Sequence, residues 1–329
     1  MLNKKIKKDK QILFCLLFLS PALGELLSGS SPPLEFFNPF TLLFLVLLYG
    51  CGTILIREAK ARWKLQWSVI FLAVAYGIIE EGLMVKSFFN PGWVDMESLS
   101  GYGMYFGVQW VWTIMLTFYH ATISTLIPIL IVELLWPSYK NVPLLKKRGL
   151  SINLAGITFV TIFGMIFMGT DQGGQMIPYY PHPLLLIGSF VVVALLIWLS
   201  YKFKNSRISI EGVPLFSPLI FGVAGFLFQS FNLIIPNILA KNNVHFIVTL
   251  LIQFILIGSV SIFAAYQVYN RNITKHHIVS VIFGSILFFV LLTPVIEFNN
   301  GAYGMLAVGI ISLVLLIIWR HIVLKINNK

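Results

Sequence analysis

The sequence predicts an all-α, polytopic integral membrane protein of about ten transmembrane helices, and three observations support this prediction. Of the 329 residues, 58% are hydrophobic and only 11% are charged, whereas an average soluble domain has roughly 25% charged residues. Apolar stretches long enough to cross a bilayer recur along the whole chain, and basic residues concentrate in alternate connectors. Soluble, fibrous and disordered proteins are therefore excluded.

Ten apolar stretches approach the roughly 20 residues that a helix needs to cross about 30 Å of hydrocarbon. They are residues 11–28, 39–56, 66–86, 108–136, 150–168, 183–201, 215–236, 245–268, 277–297 and 302–320. No linker or low-complexity segment divides the sequence, so we expect residues 1–329 to form a single transmembrane domain. The lysine-rich start and Ala22-Leu23-Gly24 are similar to a secretory signal, but we expect this segment to be retained.

The basic residues give the orientation of the helices. All but two of the 23 Lys and Arg residues lie in the termini or in alternate connectors, the exceptions being Lys86 and Lys241. By the positive-inside rule, those connectors and both termini are cytoplasmic. The net charge of +11 is then explained by orientation and by contact with the lipid bilayer. We expect a multi-pass plasma-membrane protein without a nucleic-acid partner.

The strongest candidate site begins with the acidic pair Glu80 and Glu81 in the third stretch. Glu80 follows Trp67 by 13 residues, or about 20 Å of helix, which places it in the outer half of the membrane. An ionisable group there costs about 2.5–3.5 kcal/mol on insertion scales, so it needs a partner, a wet cavity or a function. Two adjacent acids should not both ionise in a low dielectric. Alternatively, the helix ends near Glu80 and solvent surrounds the pair.

A polar stripe on the fourth stretch reaches the same depth. Its members recur at spacings of four, three and four residues: Thr113, Thr117, His120 and Ser124. His120 lies ten residues inward from Trp110, or about 15 Å. Pro128 lacks the amide that would bond the carbonyl of Ser124, which predicts a kink and a free acceptor. The stripe indicates a polar site, although a lone buried histidine also serves as a structural donor.

The seventh stretch carries Gln229 and Asn232 at a similar depth, about 21 Å from Leu215. We therefore expect the third, fourth and seventh stretches to form an outward-opening polar cavity. In it, Glu80, Glu81 and His120 would handle protons or activate water. The substrate-binding groups would be Gln229, Asn232, Thr117 and Ser124. Alternatively, the two amides only hold helices together.

Other polar groups are weaker candidates. Glu25 lies near an outer end and is expected to be solvated, whereas Glu133 is expected to meet cytoplasmic lysines. Asp171 and His182 are possible metal ligands, but they lack the spacing of a metal site. We therefore expect no metal and no cofactor. The aromatic, Gly-rich connector at residues 87–107 is typical of a lid or of interfacial anchoring.

The pair Glu80-Glu81 followed by His120 resembles the CPBP intramembrane proteases, the CAAX-processing and bacteriocin self-immunity family. That family has Glu-Glu-x-x-x-Arg, then Phe-x-x-x-His, then His-x-x-x-Asn on a later span. The resemblance implies that Glu80 activates a water, that Glu81 supports it, and that His120 helps to hold the water and the oxyanion.

The rest of the family pattern differs here. Val85 stands at the arginine position and Leu116 at the phenylalanine position, and Gln229 and Asn232 are the nearest counterparts of the third motif. The resemblance is confined to about 45 residues, and the predicted site faces outward rather than toward the cytosol.

Three functions follow from these residues. The first is a carrier in which the acids and the histidine handle protons or a cation. The second is a membrane-embedded hydrolase that uses the same groups as base and water holder. The third is a non-catalytic scaffold whose polar groups only join helices. The sequence does not indicate whether the substrate is an ion, a small molecule, a lipid or a peptide.

Overall fold

The computed structural model describes residues 2–172, 175–206, 208, 213–268 and 272–326. The long helices are Leu2–Pro21, Pro39–Trp63, Val69–Ile78, Trp110–Leu135, Lys147–Phe167, Pro183–Lys202, Pro218–Lys241, Phe246–Val268, Lys275–Asn300 and Met305–Lys325. Two of them continue into a π turn, Leu2–Pro21 into Ala22–Leu26 and Val69–Ile78 into Ile79–Met84, and three contain one, at Val46–Gly50, His120–Leu126 and Ala264–Val268. The short elements are the helix Pro33–Phe36 and the 3-10 turns Val94–Leu99 and Pro137–Tyr139. Two antiparallel hairpins pair Met104–Tyr105 with Val108–Gln109 and Gly169–Gln172 with Gln175–Pro178.

The all-α membrane class is confirmed. Within the described residues, eight helices are long and apolar enough to cross a bilayer. Helices 2–26 and 69–84 are not among them. The first is rich in lysine, and the second has only ten α residues and a six-residue π turn, about 24 Å at most. The count of ten crossings and the cytoplasmic termini stay predictions.

Four helices form the half of the bundle that contains the candidate site: 2–26, 39–63, 69–84 and 110–135. Their shared core contains buried apolar and aromatic side chains, among them Leu16, Tyr49, Leu72, Tyr76 and Ile129. Helices 147–167 and 183–202 flank helix 69–84. Helix 218–241 packs along helix 275–300 instead, in a second core beside helix 305–325.

Helix 39–63 continues past the predicted end at residue 56, and its charged last turns are buried. Glu58 is fully buried and accepts hydrogen bonds from Arg57 and Arg62. It also accepts two backbone amides, from Leu144 and Leu145. Because these bonds satisfy the carboxylate, the helix can extend with its charges inside the protein. They also attach the next basic connector to this end of the bundle.

The connector 87–107, which the charge pattern predicts to lie on the outer side, folds over the ends of the helices. It packs Phe88, Phe89, Met96 and Leu99 against Trp112 of helix 110–135 in a buried apolar cluster. This packing covers the end of helix 69–84, so the residues just before that end are enclosed by protein.

Helices 218–241 and 275–300 are in backbone contact. A Cβ atom on Gly284 would lie 1.9 Å from the carbonyl oxygen of Gly222, so only glycine permits this crossing. We expect Gly284→Ala to push the helices apart and to lower the unfolding free energy by about 1–3 kcal/mol. The matched control is Gly258→Ala, where an added Cβ meets nothing within 4 Å. Thermal unfolding in detergent measures both, and equal melting temperatures would contradict the close crossing.

Candidate functional site

The imidazole of His120 lies between the carboxylates of Glu80 and Glu81. His120 Nε2 is hydrogen-bonded to Glu81 Oε1 at 2.9 Å, and His120 Nδ1 lies 3.1 Å from Glu80 Oε2. The three residues are only 2%, 7% and 3% exposed for Glu80, Glu81 and His120, respectively. Their grouping, expected from equal depth, is therefore present, and the groups are within reach of one shared proton, water or ion.

π turns present all three side chains. Glu80 and Glu81 lie in the π turn Ile79–Met84, and His120 begins the π turn His120–Leu126. A π turn contains one residue more than the α turn that it replaces, so it changes which side chains face a neighbour. Such turns are rare and occur frequently at functional sites. In this arrangement, two adjacent glutamates contact opposite nitrogens of one ring.

The outer end of the site is closed by Ser87 and Trp112. Ser87 Oγ donates to Glu81 Oε2 and accepts a hydrogen bond from Trp112 Nε1 at 3.0 Å. Helix 69–84 does end close to the acids, as the solvated alternative assumed. That alternative is nevertheless wrong, because the folded 87–107 connector shields the pair from solvent.

The inner side of the site is built on the carbonyl of Ser124. Pro128 frees this oxygen, as expected, and it accepts hydrogen bonds from Ser20 Oγ at 2.5 Å and Thr53 Oγ1 at 3.1 Å. The Ser124 hydroxyl is hydrogen-bonded to His120 Nδ1 at 3.1 Å. Ser124 therefore connects helices 2–26 and 39–63 to His120, since its carbonyl bonds both helices and its hydroxyl bonds the ring.

Glu25 also belongs to this region, and the expectation that solvent surrounds it is wrong. Its carboxylate accepts hydrogen bonds from Tyr49 Oη and, at 2.9 Å, from Ser31 Oγ. The Tyr49 ring lies 6.0 Å from the His120 ring. The close approach depends on Gly24, where a Cβ would lie 2.7 Å from Ser124 Oγ. Glu25 and Tyr49 lie in π turns as well.

Two buried polar atoms at the centre have unused bonding capacity. Within the described chain, neither Glu80 Oε2 nor Tyr76 Oη makes a hydrogen bond of good geometry, although the hydroxyls of Tyr49 and Tyr76 lie near the Glu80 carboxylate. Tyr76 lies one helical turn before Glu80, so the two side chains share a face. Buried polar groups are normally satisfied by protein, water or an ion. The pair therefore marks a position where a water molecule or an ion would bind.

The seventh predicted stretch does not join the cluster. Gln229 Nε2 donates to Thr122 Oγ1, and Asn232 Nδ2 donates to the Met115 carbonyl, so both amides bond groups of helix 110–135 other than His120 and Ser124. Thr117 is buried where its backbone contacts Gly77. Of the expected substrate-binding residues, the structure brings only Ser124 to the three candidate catalytic groups. The expected outward opening is replaced by an enclosed cluster.

The other predicted residues lie elsewhere. Glu133 forms a buried ion pair with Lys60, which belongs to one of the basic connectors predicted to be cytoplasmic. His182 Nδ1 accepts the Leu184 amide at the start of helix 183–202. The side chain of Asp171 lies outside the described residues.

Lys86 is fully buried just beyond the acids. Its ammonium group donates to three carbonyl oxygens, those of Gly164, Met165 and Met168, at 2.8–2.9 Å. These carbonyls end helix 147–167, where the helix dipole favours a cation. Lys86 is thus bonded to this helix end, and among the described residues no Lys or Arg forms an ion pair with Glu80 or Glu81.

A family model matches residues 14–326, nearly the whole chain. The chain belongs to an uncharacterized membrane protein family. This places it in a membrane and agrees with its apolar helices. Comparisons with curated proteins and with solved structures found no match. The matched family gives no support to the CPBP resemblance.

Sequence reasoning missed the contributions of helices 2–26 and 39–63. Tyr49 belongs to the hydrophobic fraction of the composition, and Ser20 and Thr53 are single hydroxyl residues in hydrophobic segments. One signal was available: the carbonyl that Pro128 frees needs donors, and small hydroxyl residues on neighbouring helices can supply them.

Replacing Lys86 by methionine tests the closure of the outer end. Lys86→Met leaves three carbonyls without their donor, and we expect a loss of about 1–3 kcal/mol or more because the donor is charged. Lys241→Met removes an exposed lysine and should change stability little. Both are compared by thermal unfolding in detergent. Equal stability of the two variants would show that the buried ammonium does not hold this end together.

Proposed function

We propose that the protein is a multi-pass carrier of the plasma membrane, coupled to protons or to a cation at Glu80, Glu81 and His120. The observation that supports this most is the buried contact of one imidazole with two carboxylates. In the described structure no fixed Lys or Arg neutralises them. A buried group of this kind needs a mobile positive charge, which is what a coupled carrier exchanges.

The π turns provide a means of moving the site. Shifting a π turn along its helix rotates the intervening side chains by about 100°. Each of the four helices that contribute to the site has a π turn at one or more of its site residues, which are Glu25, Tyr49, Glu80 with Glu81, and His120 with Ser124. A small change in helix register could therefore turn the acids and the histidine from one side of the enclosure to the other.

The second candidate is a membrane-embedded hydrolase, and one observation favours it. Glu80 Oε2 makes no hydrogen bond of good geometry in the described chain, and the Tyr76 hydroxyl lies beside it on the same helix face. A water held there would lie beside a base and near His120, as in glutamate-dependent hydrolysis. The carrier remains the first proposal because both nitrogens of His120 and both oxygens of Glu81 already face protein groups.

Proteoliposomes that contain a pH-sensitive dye test the carrier. Monovalent cations, divalent cations and small organic solutes are added outside in turn, and proton movement is recorded. We expect at least one solute to elicit proton movement that falls at least tenfold in Glu80→Gln and Glu81→Gln, because each variant removes an ionisable member of the site.

Glu297→Gln is the matched control, since Glu297 lies on helix 275–300 and accepts the Leu306 amide at the surface. It should retain the wild-type response. The carrier is ruled out if the proteoliposomes show neither proton movement nor uptake of any of the tested cations, or if Glu80→Gln and Glu297→Gln behave alike. Hydrolysis of a lipid or peptide that depends on Glu80, without solute flux, would establish the second candidate instead.

A further inference from the structure

We infer that Glu80, Glu81 and His120 bind a divalent transition-metal ion, which would be the cation that the protein carries. The role of the ion as transported cargo rests on the proposed function, whereas the binding site itself rests on geometry alone. One ligand atom from each residue lies within 4.8 Å of the other two, and all three residues are buried.

The distances allow a metal once the side chain of Glu80 turns. Ligands at about 2.0–2.2 Å from a tetrahedral ion lie about 3.3–3.6 Å from one another. Here Glu81 Oε1 is 2.9 Å from His120 Nε2, and Glu80 Oε2 is 3.1 Å from His120 Nδ1. One ion cannot be bound by both nitrogens of a ring, so an ion at Nε2 requires the Glu80 side chain to turn from the Nδ1 side toward Nε2, while Glu81 moves only a few tenths of an ångström. The ligand atoms that must come together lie within 4.8 Å of one another.

The unpartnered oxygen of Glu80 independently points to a ligand. Glu80 is 2% exposed, and among the described residues its Oε2 atom has no hydrogen-bond partner. An acceptor without a donor is costly in a bilayer. It lies 3.1 Å from His120 Nδ1, so it is close enough to the ring to reach a cation bound at Nε2 when the Glu80 side chain turns.

The surrounding hydrogen bonds resemble the outer shell of a metal site. Ser124 Oγ holds His120 Nδ1, which leaves Nε2 as the natural ligand atom, and Ser87 Oγ holds Glu81 Oε2, which leaves Oε1. Ligating histidines and carboxylates in proteins are oriented in this way by partners on their second atoms.

Charge and ligand type select the class of ion. Metal binding requires deprotonated carboxylates and a neutral imidazole. These ligands together carry a charge of about −2, which a divalent cation balances in a low-dielectric site. An imidazole nitrogen favours zinc or iron over calcium or magnesium, which prefer oxygen ligands, and the two carboxylates also suit manganese. Zn²⁺ and Mn²⁺ are therefore the first probes.

Equilibrium dialysis of the full-length protein without a histidine tag, followed by elemental analysis, tests the site. Zn²⁺ and Mn²⁺ are each tested alone in detergent. We expect about one ion per chain for at least one of them. Glu80→Gln, Glu81→Gln and His120→Gln should each weaken binding more than a hundredfold, since even an outer-shell change costs 10–100-fold. Ser124→Ala should therefore weaken it 10–100-fold.

Two matched controls are Glu297→Gln and His321→Gln, which remove the same chemical groups outside the cluster and should keep wild-type affinity. Size-exclusion profiles and thermal unfolding show which variants are folded, and Ser124→Ala serves if a ligand variant does not fold. The site is overturned if the folded wild type binds neither ion stoichiometrically, or if binding survives in the Glu80 and His120 variants.

Flux assays separate this inference from the proposed function. Stoichiometric binding without movement of the ion into proteoliposomes would support the metal site and contradict the proposal that the protein carries this ion. Solute-coupled proton movement without metal binding would keep the carrier and end the metal site.

Discussion

The contact between one imidazole and two carboxylates is the constraint on which this half of the molecule depends. In a bilayer, unpaired charges are expensive, so Glu80 and Glu81 need a partner at their own depth. His120 is that partner, and it contacts one acid with each nitrogen. The surrounding features hold this ring in place: Ser124 bonds it from the inner side, and the 87–107 connector encloses it from the outer side.

Backbone irregularity makes the contact possible. Regular α-helices place adjacent residues about 100° apart, and a chain of such helices would not turn Glu80, Glu81, His120, Tyr49 and Glu25 toward one region so readily. Each of these residues lies in a π turn. The proline at 128 adds a free carbonyl that hydroxyls from two other helices satisfy. The membrane tolerates these irregularities because they are buried in protein.

Sequence reasoning reached part of this arrangement for identifiable reasons. The depth of a residue in the membrane follows from the number of residues along its helix, so the sequence predicts that Glu80, Glu81 and His120 lie at the same level on two helices. The direction in which a side chain points cannot be counted once a π turn intervenes. Gln229 and Asn232 share the predicted depth, yet they bond other groups of helix 110–135, the Thr122 hydroxyl and the Met115 carbonyl. Tyr49 reads as an apolar residue in a sequence, and its role emerges only when its hydroxyl meets Glu25.

The most direct test of the central contact is solid-state NMR of ¹⁵N-histidine-labelled protein in bilayers, with His120 assigned by its replacement. The wild type should show both His120 nitrogens hydrogen-bonded. Glu81→Gln should shift mainly the Nε2 resonance, and Glu80→Gln mainly the Nδ1 resonance, because each acid contacts one nitrogen. If both resonances match a solvent-exposed imidazole and neither substitution moves them, His120 does not lie between the two acids.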